Sequence, residues 1–144
     1  MTLKSQERND IVSYRLERAR QTLKEATDIG NLGYWNLAAN RLYYAAYYAS
    51  AALLIHNGIE ASSHKGIVRM IGLSFVRQGI LKSEDSQLLG RLFTMRQTGD
   101  YEDLFDWKES DVKPMYMPVE DYIERIEAII SMTEQRTPSD FVKS

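Results

Sequence analysis

Residues 34–58 read YWNLAANRLYYAAYYASAALLIHNG, and the way these side chains distribute around a helix decides the architecture. Leu37, Ala38, Leu42, Ala45, Ala49, Ala52 and Leu53 form one apolar stripe, since positions three and four apart share a helix face. Trp35, Tyr43, Tyr44, Tyr47 and Tyr48 cover much of the remaining circumference. Arg41 is the only Lys, Arg, Asp or Glu between Asn36 and Gly58. A helix that is apolar or aromatic on most sides has no solvent face, so it belongs at the centre of a bundle. Ala45, Ala46, Ala49, Ala51 and Ala52 let neighbouring helices approach closely, and Gly58 is a natural stop.

Four further helices are expected around it. The first spans about 6–28, with Val12, Leu16, Ala19, Leu23 and Ala26 spaced 4-3-4-3 on one stripe. Its other face carries charges such as Arg15, Arg18 and Glu25, and Gly30 and Gly33 are expected to end it. The third spans about 63–78 with Ile67, Met70, Ile71, Phe75 and Val76 inward, Ser62 or Ser63 as its cap and Gly79 at its end. The fourth begins with Ser83 as N-cap, with Glu84 and Asp85 at its positive end. It continues through Leu88, Leu89, Leu92, Phe93 and Met95 to about Thr98, with Gly99 as a break. An acidic, aromatic connection follows over 100–117. The fifth helix opens with Pro118 at its first position and shows Val119, Tyr122, Ile123, Ile126, Ile129 and Ile130. No strand alternation is evident. The expected fold is therefore an all-α, up-and-down helical bundle of about five helices, one domain over residues 1–135 with a flexible tail over 136–144.

The 144 residues carry a net charge of −2, which argues against binding to nucleic acid by bulk positive charge but not against a local basic site. The small total hides a polarisation. Residues 29–99 sum to +4 and residues 100–127 to −7, while 1–28 carry +1 and the remainder balances. The acidic connection either pairs with a partner or is solvated by its own carboxylates. The N-terminal segment lacks the apolar region of a signal peptide. The longest strongly apolar stretch, 43–55, falls short of the ~20 residues that cross a bilayer. A cytoplasmic location is the default expectation, with no membrane partner.

Several chemistries are excluded or disfavoured. Without cysteine there are no disulfides, thiolate nucleophiles or Cys-bound metals. The two histidines, His56 and His64, make no metal-ligand spacing, so no metal is expected. Asp100, Glu102, Asp103 and Asp106 alternate but lack the glycine and terminal glutamate of a calcium loop. Phosphate-cradling glycine loops and a nucleophile elbow are missing, and no cofactor is implied. His64, beside Lys65 at a helix start, reads as a surface residue, and His56 suits the negative end of its helix.

Two segments remain. Arg41, Tyr44 and Tyr48 lie at i, i+3 and i+7, showing a guanidinium followed by two phenols on one face. The second segment is Arg96-Gln97-Thr98-Gly99-Asp100-Tyr101. If the second and fourth helices are neighbours, Arg41, Arg96, Asp100 and Tyr101 converge beside the tyrosines. That patch is either a binding cleft or a core ion pair between Arg41 and Asp100.

At these segments the chain resembles the HEPN family (higher eukaryotes and prokaryotes nucleotide-binding), in its small stand-alone prokaryotic branch. The residues that carry the resemblance are Asn40-Arg41-Leu42-Tyr43-Tyr44-Ala45-Ala46-Tyr47-Tyr48-Ala49, then Ala52-Leu53-Leu54, Ser63-His64-Lys65-Gly66, and Arg96 with Asp100-Tyr101. The resemblance implies a homodimer, often encoded beside a minimal nucleotidyltransferase as a toxin–antitoxin-type pair. It also implies, for many members, a metal-independent ribonuclease with an Arg-x4-6-His motif. Arg96 matches that arginine and is the candidate catalytic residue. Positions 101–103 hold Tyr101, Glu102 and Asp103 where the histidine should stand. Tyrosine, with an ordinary pKa near ~10, is a poor base at neutral pH.

Two readings follow. In the first, a non-catalytic or weakly catalytic HEPN protein presents Arg41, Tyr44, Tyr48, Arg96, Asp100 and Tyr101 to a nucleotide, an RNA or a nucleotidyltransferase partner. In the second, it is a ribonuclease toxin with a rearranged site. A subsidiary expectation is that Tyr101 accepts a nucleotidyl group from the partner enzyme.

Overall fold

The computed structural model describes residues 5–133, so the tail expected at 136–144 lies outside the described residues. These fold as an all-α bundle of helices α1 (Ser5–Asn31), α2 (Trp35–His56), α3 (His64–Ile71), α4 (Ser83–Tyr101), α5 (Glu109–Val112) and α6 (Tyr116–Met132). A π-helical turn, Gly72–Val76, prolongs α3, and a 3₁₀ turn, Lys113–Met115, joins α5 to α6. Among the described residues there is no strand, and no helix is long and apolar enough to cross a membrane.

Helix α2 is the centre, packed on α1, α3, α4 and α6. Its alanines 38, 45, 46, 49 and 52 are completely buried, which brings the neighbouring backbones close. Around them stand Val12, Ala19 and Ala26 of α1, Ile67 and Ile71 of α3, Leu89, Leu92 and Met95 of α4, and Val119, Tyr122, Ile123 and Ile126 of α6. Two buried hydroxyls, those of Ser50 and Tyr122, pair with each other. Ser50 donates to the Ala46 carbonyl (2.8 Å) and lies 2.6 Å from the Tyr122 hydroxyl. With Ser50's only proton used on that carbonyl, Tyr122 is the donor between the two. Burial holds the Tyr122 phenol above its ordinary pKa, so it keeps that proton.

Four boundaries differ from expectation. Helix α1 runs through Gly30 and ends at Asn31, with Gly33 turning the chain just beyond it at a φ of +85°. Gly30 serves packing instead: a Cβ there would collide with the Tyr116 hydroxyl and come within 2.9 Å of the Trp35 ring. Helix α4 likewise runs through Gly99, because the Trp107 ring lies where a side chain would project, 3.0 Å from a Cβ built there. Trp107 is held by its Nε1–H bond to the Met95 carbonyl (2.9 Å) and by its backbone N–H bond to Asn36 at the start of α2 (2.7 Å). At the other end of α4, Lys82 rather than Ser83 is the cap residue. The buried Asp85 carboxylate accepts from the Lys82 backbone N–H (3.0 Å) and pairs with Arg125 of α6. Helix α6 starts two residues before Pro118, which is tolerated there because N–H groups of the first turn have no intrahelical acceptor. For α3 the cap is Ser63, accepting from the Gly66 N–H (2.9 Å).

The Gly30 contact gives a direct test. Gly30→Ala gains about 1 kcal/mol of helix propensity, while overpacking costs about 1–3 kcal/mol. The expected net effect is a loss of up to about 2 kcal/mol in urea unfolding. Tyr116→Phe in that background should recover part of it, although it also removes the Tyr116 bond to the Ala26 carbonyl (2.6 Å). A midpoint that does not fall in Gly30→Ala would show that the two rings move aside freely.

Candidate functional site

Residues 43, 44, 47 and 48 occupy two adjacent rows of α2, so their four rings form one cluster with centroids 5.1–6.0 Å apart. Tyr43 is fully buried and the other three are half-buried. Helix α3 delivers His64 onto this cluster, because the Ser63 cap makes His64 the first helical residue. The imidazole stacks on Tyr47 with centroids 4.7 Å apart and meets Tyr44 edge-on. Its Nδ1 lies 2.6 Å from the Tyr43 hydroxyl. Burial raises the Tyr43 phenol pKa. Burial, and then the Arg96 charge, lower that of His64, so the ring is neutral at pH 7.

Arginines surround the rings. Arg96 of α4 stands 5.5 Å from the Tyr44 centroid, 5.9 Å from Tyr43 and 5.3 Å from Tyr101. Such cation–π contacts are worth about 0.5–2 kcal/mol each, more as water is excluded. Arg41 lies 5.3 Å from Tyr44, and Arg18 of α1 lies 5.4 Å from Tyr48. A polar chain links these groups across three helices. Glu25 of α1 accepts from Arg41 (3.3 Å), and Arg41 donates twice to the Asn40 side-chain oxygen (3.1 and 2.9 Å). The Asn40 amide donates to Asp100 (2.8 Å), and Asp100 stands 3.4 Å from Arg96 Nε. Arg96 Nη2 in turn donates to the Tyr101 hydroxyl (3.2 Å). The possible Arg41–Asp100 core pair is thus not formed: Asn40 stands between the two, and Arg41 takes Glu25.

One atom in this chain is left over. The Arg96 side chain is only 13% exposed, and its Nε is buried without a hydrogen bond, Asp100 standing 3.4 Å away as an ion pair alone. A buried donor without an acceptor costs roughly 1–3 kcal/mol. The rest of the guanidinium remains for a ligand, and a phosphate suits a guanidinium fork.

Of the residues singled out from sequence, Arg41, Tyr44, Arg96, Asp100 and Tyr101 come together in this network, with Tyr101 the most exposed. Tyr48 lies one turn further along α2, beside Arg18. Sequence reasoning missed Tyr47, Asn40, Arg18 and above all His64, which is half-buried against the rings rather than on the open surface. No signal along the chain paired His64 with Tyr43, 21 residues away.

The arrangement is that of a helical-bundle protein with a basic, aromatic face. The HEPN domain profile matches residues 12–136, and the chain belongs to the HEPN family. It is similar to a UPF0332 protein of Thermotoga maritima, at 33% identity over 124 residues covering 86% of this chain and 94% of the relative. It is also similar to two Methanocaldococcus jannaschii proteins whose names mark them as candidate toxins. One is 26% identical over 68% of this chain and 67% of its own length. The other is 27% identical over 60% of this chain and 64% of its own.

The His64 setting predicts a pH dependence. A folded-state pKa below the ordinary 6.5 means that the unfolded chain takes the proton first as pH falls. Stability from this site is therefore complete above about pH 7 and declines from the ordinary histidine pKa down to the folded-state value. Nuclear magnetic resonance should place the His64 midpoint below 6.5, moving upward in Arg96→Gln, and His64→Gln should flatten this part of the pH–stability curve. A midpoint at or above the ordinary value would contradict the described burial.

Proposed function

We propose that this chain is a toxin–antitoxin-type HEPN protein whose α2–α4 face holds RNA or a nucleotide, binding it with little or no cleavage. The observation that carries this reading is Arg96, a largely buried guanidinium framed by three tyrosine rings with one donor unused. A phosphate is the anion that such a guanidinium fork holds best. Tyr44 and the exposed Tyr101 offer ring faces for bases, and stacking contributes about 1–3 kcal/mol per base. The likeness to two proteins named as candidate toxins supports the toxin–antitoxin context. The protein works as a cytoplasmic homodimer, with a minimal nucleotidyltransferase as partner. The acidic stretch 100–127, at −7, supplies the charge for docking a basic surface.

One observation favours a second reading, in which the face also cleaves RNA without metal. His64 brings an imidazole to the same rings as Arg96, from α3 rather than from positions 101–103. In the tautomer with its proton on Nδ1, hydrogen-bonded to Tyr43, Nε2 would be free to take a 2′-hydroxyl proton. The resulting alkoxide attacks the adjacent phosphorus, Arg96 neutralises the phosphorane, and the P–O5′ bond breaks as the 5′-oxygen takes the proton back from the imidazolium, leaving a 2′,3′-cyclic phosphate and a 5′-hydroxyl.

Both readings are tested on single-stranded RNA in EDTA. Under the first, anisotropy shows binding that Arg96→Ala weakens roughly 10- to 100-fold, as expected for one charge-assisted contact. The log–log salt slope should also fall by about 0.7, and the strand should stay intact. Metal-free cleavage lost in both Arg96→Ala and His64→Ala would replace the first reading with the second. Wild-type protein that neither binds nor cleaves would remove both.

A further inference from the structure

A recess of 550 Å³ opens between α1, α2 and the segment leading into α3. Its walls include Tyr47, Ile55, Ile59 and Ile67, with Arg15 and Glu60 as the charged groups. Tyr47 is shared: it lines this recess and also stacks on His64, so the recess adjoins the tyrosine–arginine face across that residue.

Arg15 supplies the recess with a guanidinium. Its Nε is buried without a hydrogen bond, one of three such side-chain atoms among the described residues, and another of the three is Arg96 Nε. The two arginines flank one aromatic cluster, where Arg96 acts on His64 and Arg15 on Tyr47. Arg15 and Glu60 are not paired with each other, although both line the same space. A recess lined by aliphatic side chains and a tyrosine, with a guanidinium donor and a carboxylate acceptor, suits a planar heterocycle with acceptors on one edge and donors on another. Among the bases, guanine fits. Its O6 and N7 take an arginine fork, and its N1–H and N2–H₂ donate to a carboxylate. Adenine and cytosine would turn an amino donor toward the arginine, and uracil has no N7 acceptor to complete the fork.

We infer that this recess is a guanine-binding subsite beside the phosphate-binding face, with Arg15 donating to the O6/N7 edge and Glu60 accepting from N1–H and N2–H₂. The inference rests on the RNA or nucleotide reading of that face and adds a base preference to it. The guanine comes from an RNA strand threaded past Tyr47 or from a free guanine nucleotide.

The full chain is tested by anisotropy with labelled hexauridine and with the same strand carrying one central guanosine, and by calorimetry with GMP and UMP. The expected result is at least about tenfold tighter binding of the guanosine strand, the scale of one good bidentate base contact. Glu60→Gln, an exposed and structurally mild change, should bring that ratio close to one without altering hexauridine affinity. Ala61→Trp, which narrows the recess, should do the same. Equal wild-type affinity for the two strands, or a guanosine preference that survives both variants, overturns the subsite and leaves the RNA-binding reading intact. If neither strand binds, that reading fails separately. GMP binding that is abolished in Glu60→Gln then keeps the recess as a free-nucleotide site, and no GMP binding overturns it.

Discussion

Enclosing α2 on four sides is the constraint on which everything else depends. A helix with neighbours all round must bury its whole circumference, and alanine is the side chain that lets α1 and α6 come close enough to do so. The tyrosines cannot be treated that way, because each hydroxyl needs a partner or water. They therefore gather where α2 meets α3, α4 and the outer face of α1, and polar groups from those helices come to them. His64 serves Tyr43, Arg41 and Arg96 cover Tyr44, and Arg18 covers Tyr48. A basic, aromatic face follows from burying this helix with this composition.

Charge compensation on that face is incomplete in a particular way. Glu25 and Asp100 are shared out through Asn40, whose amide accepts from Arg41 and donates to Asp100. This relay ties α1, α2 and α4 together and satisfies Arg41, but it reaches Arg96 only at its end, through an ion pair without hydrogen-bond geometry at Nε. In the acidic stretch that follows α4, two carboxylates are committed elsewhere. Asp106 accepts from Asn36, and Asp111 caps α5. The local positive character of the face thus persists in a chain whose net charge is −2.

The parts of this organisation that repeat every three to four residues were legible in the sequence. The α1 stripe at Val12, Ala19 and Ala26 and the α6 stripe at Val119, Tyr122, Ile123 and Ile126 are buried as their spacing requires. Glycine was a poorer guide, since the residue that turns the chain beyond a helix by adopting positive φ also lets a ring pack against a helix. Gly33 does the first, and Gly30 and Gly99 do the second, for Tyr116, Trp35 and Trp107. Convergence at the arginines could be foreseen only in outline. That Arg41 and Arg96 share one network follows from α2 and α4 being neighbours. That Asn40 separates Arg41 from Asp100 depends on side-chain reach, which spacing does not encode. Arg15 and Arg18 looked like the solvent face of an amphipathic helix, and they become part of the aromatic face because α2 has rings where most helices have small or charged groups.

His64 shows why a missing motif residue and a missing chemical group are different things. The chain lacks a histidine four to six residues after Arg96, yet α3 brings an imidazole to rings that Arg96 also touches. The two groups are coupled electrostatically. While Arg96 is unoccupied, its charge helps hold His64 neutral. A phosphate seated on Arg96 cancels that charge and adds an anion beside the ring, and both changes favour the imidazolium. Ligand binding on the proposed phosphate site therefore raises the proton affinity of His64 at the moment an RNA 2′-hydroxyl would be nearby. The same coupling operates if the face only binds: the imidazolium then adds a second cation to the phosphate contact, and affinity increases as pH falls toward the histidine range. The two readings share one electrostatic device and differ only in whether a 2′-hydroxyl is aligned to lose its proton to His64.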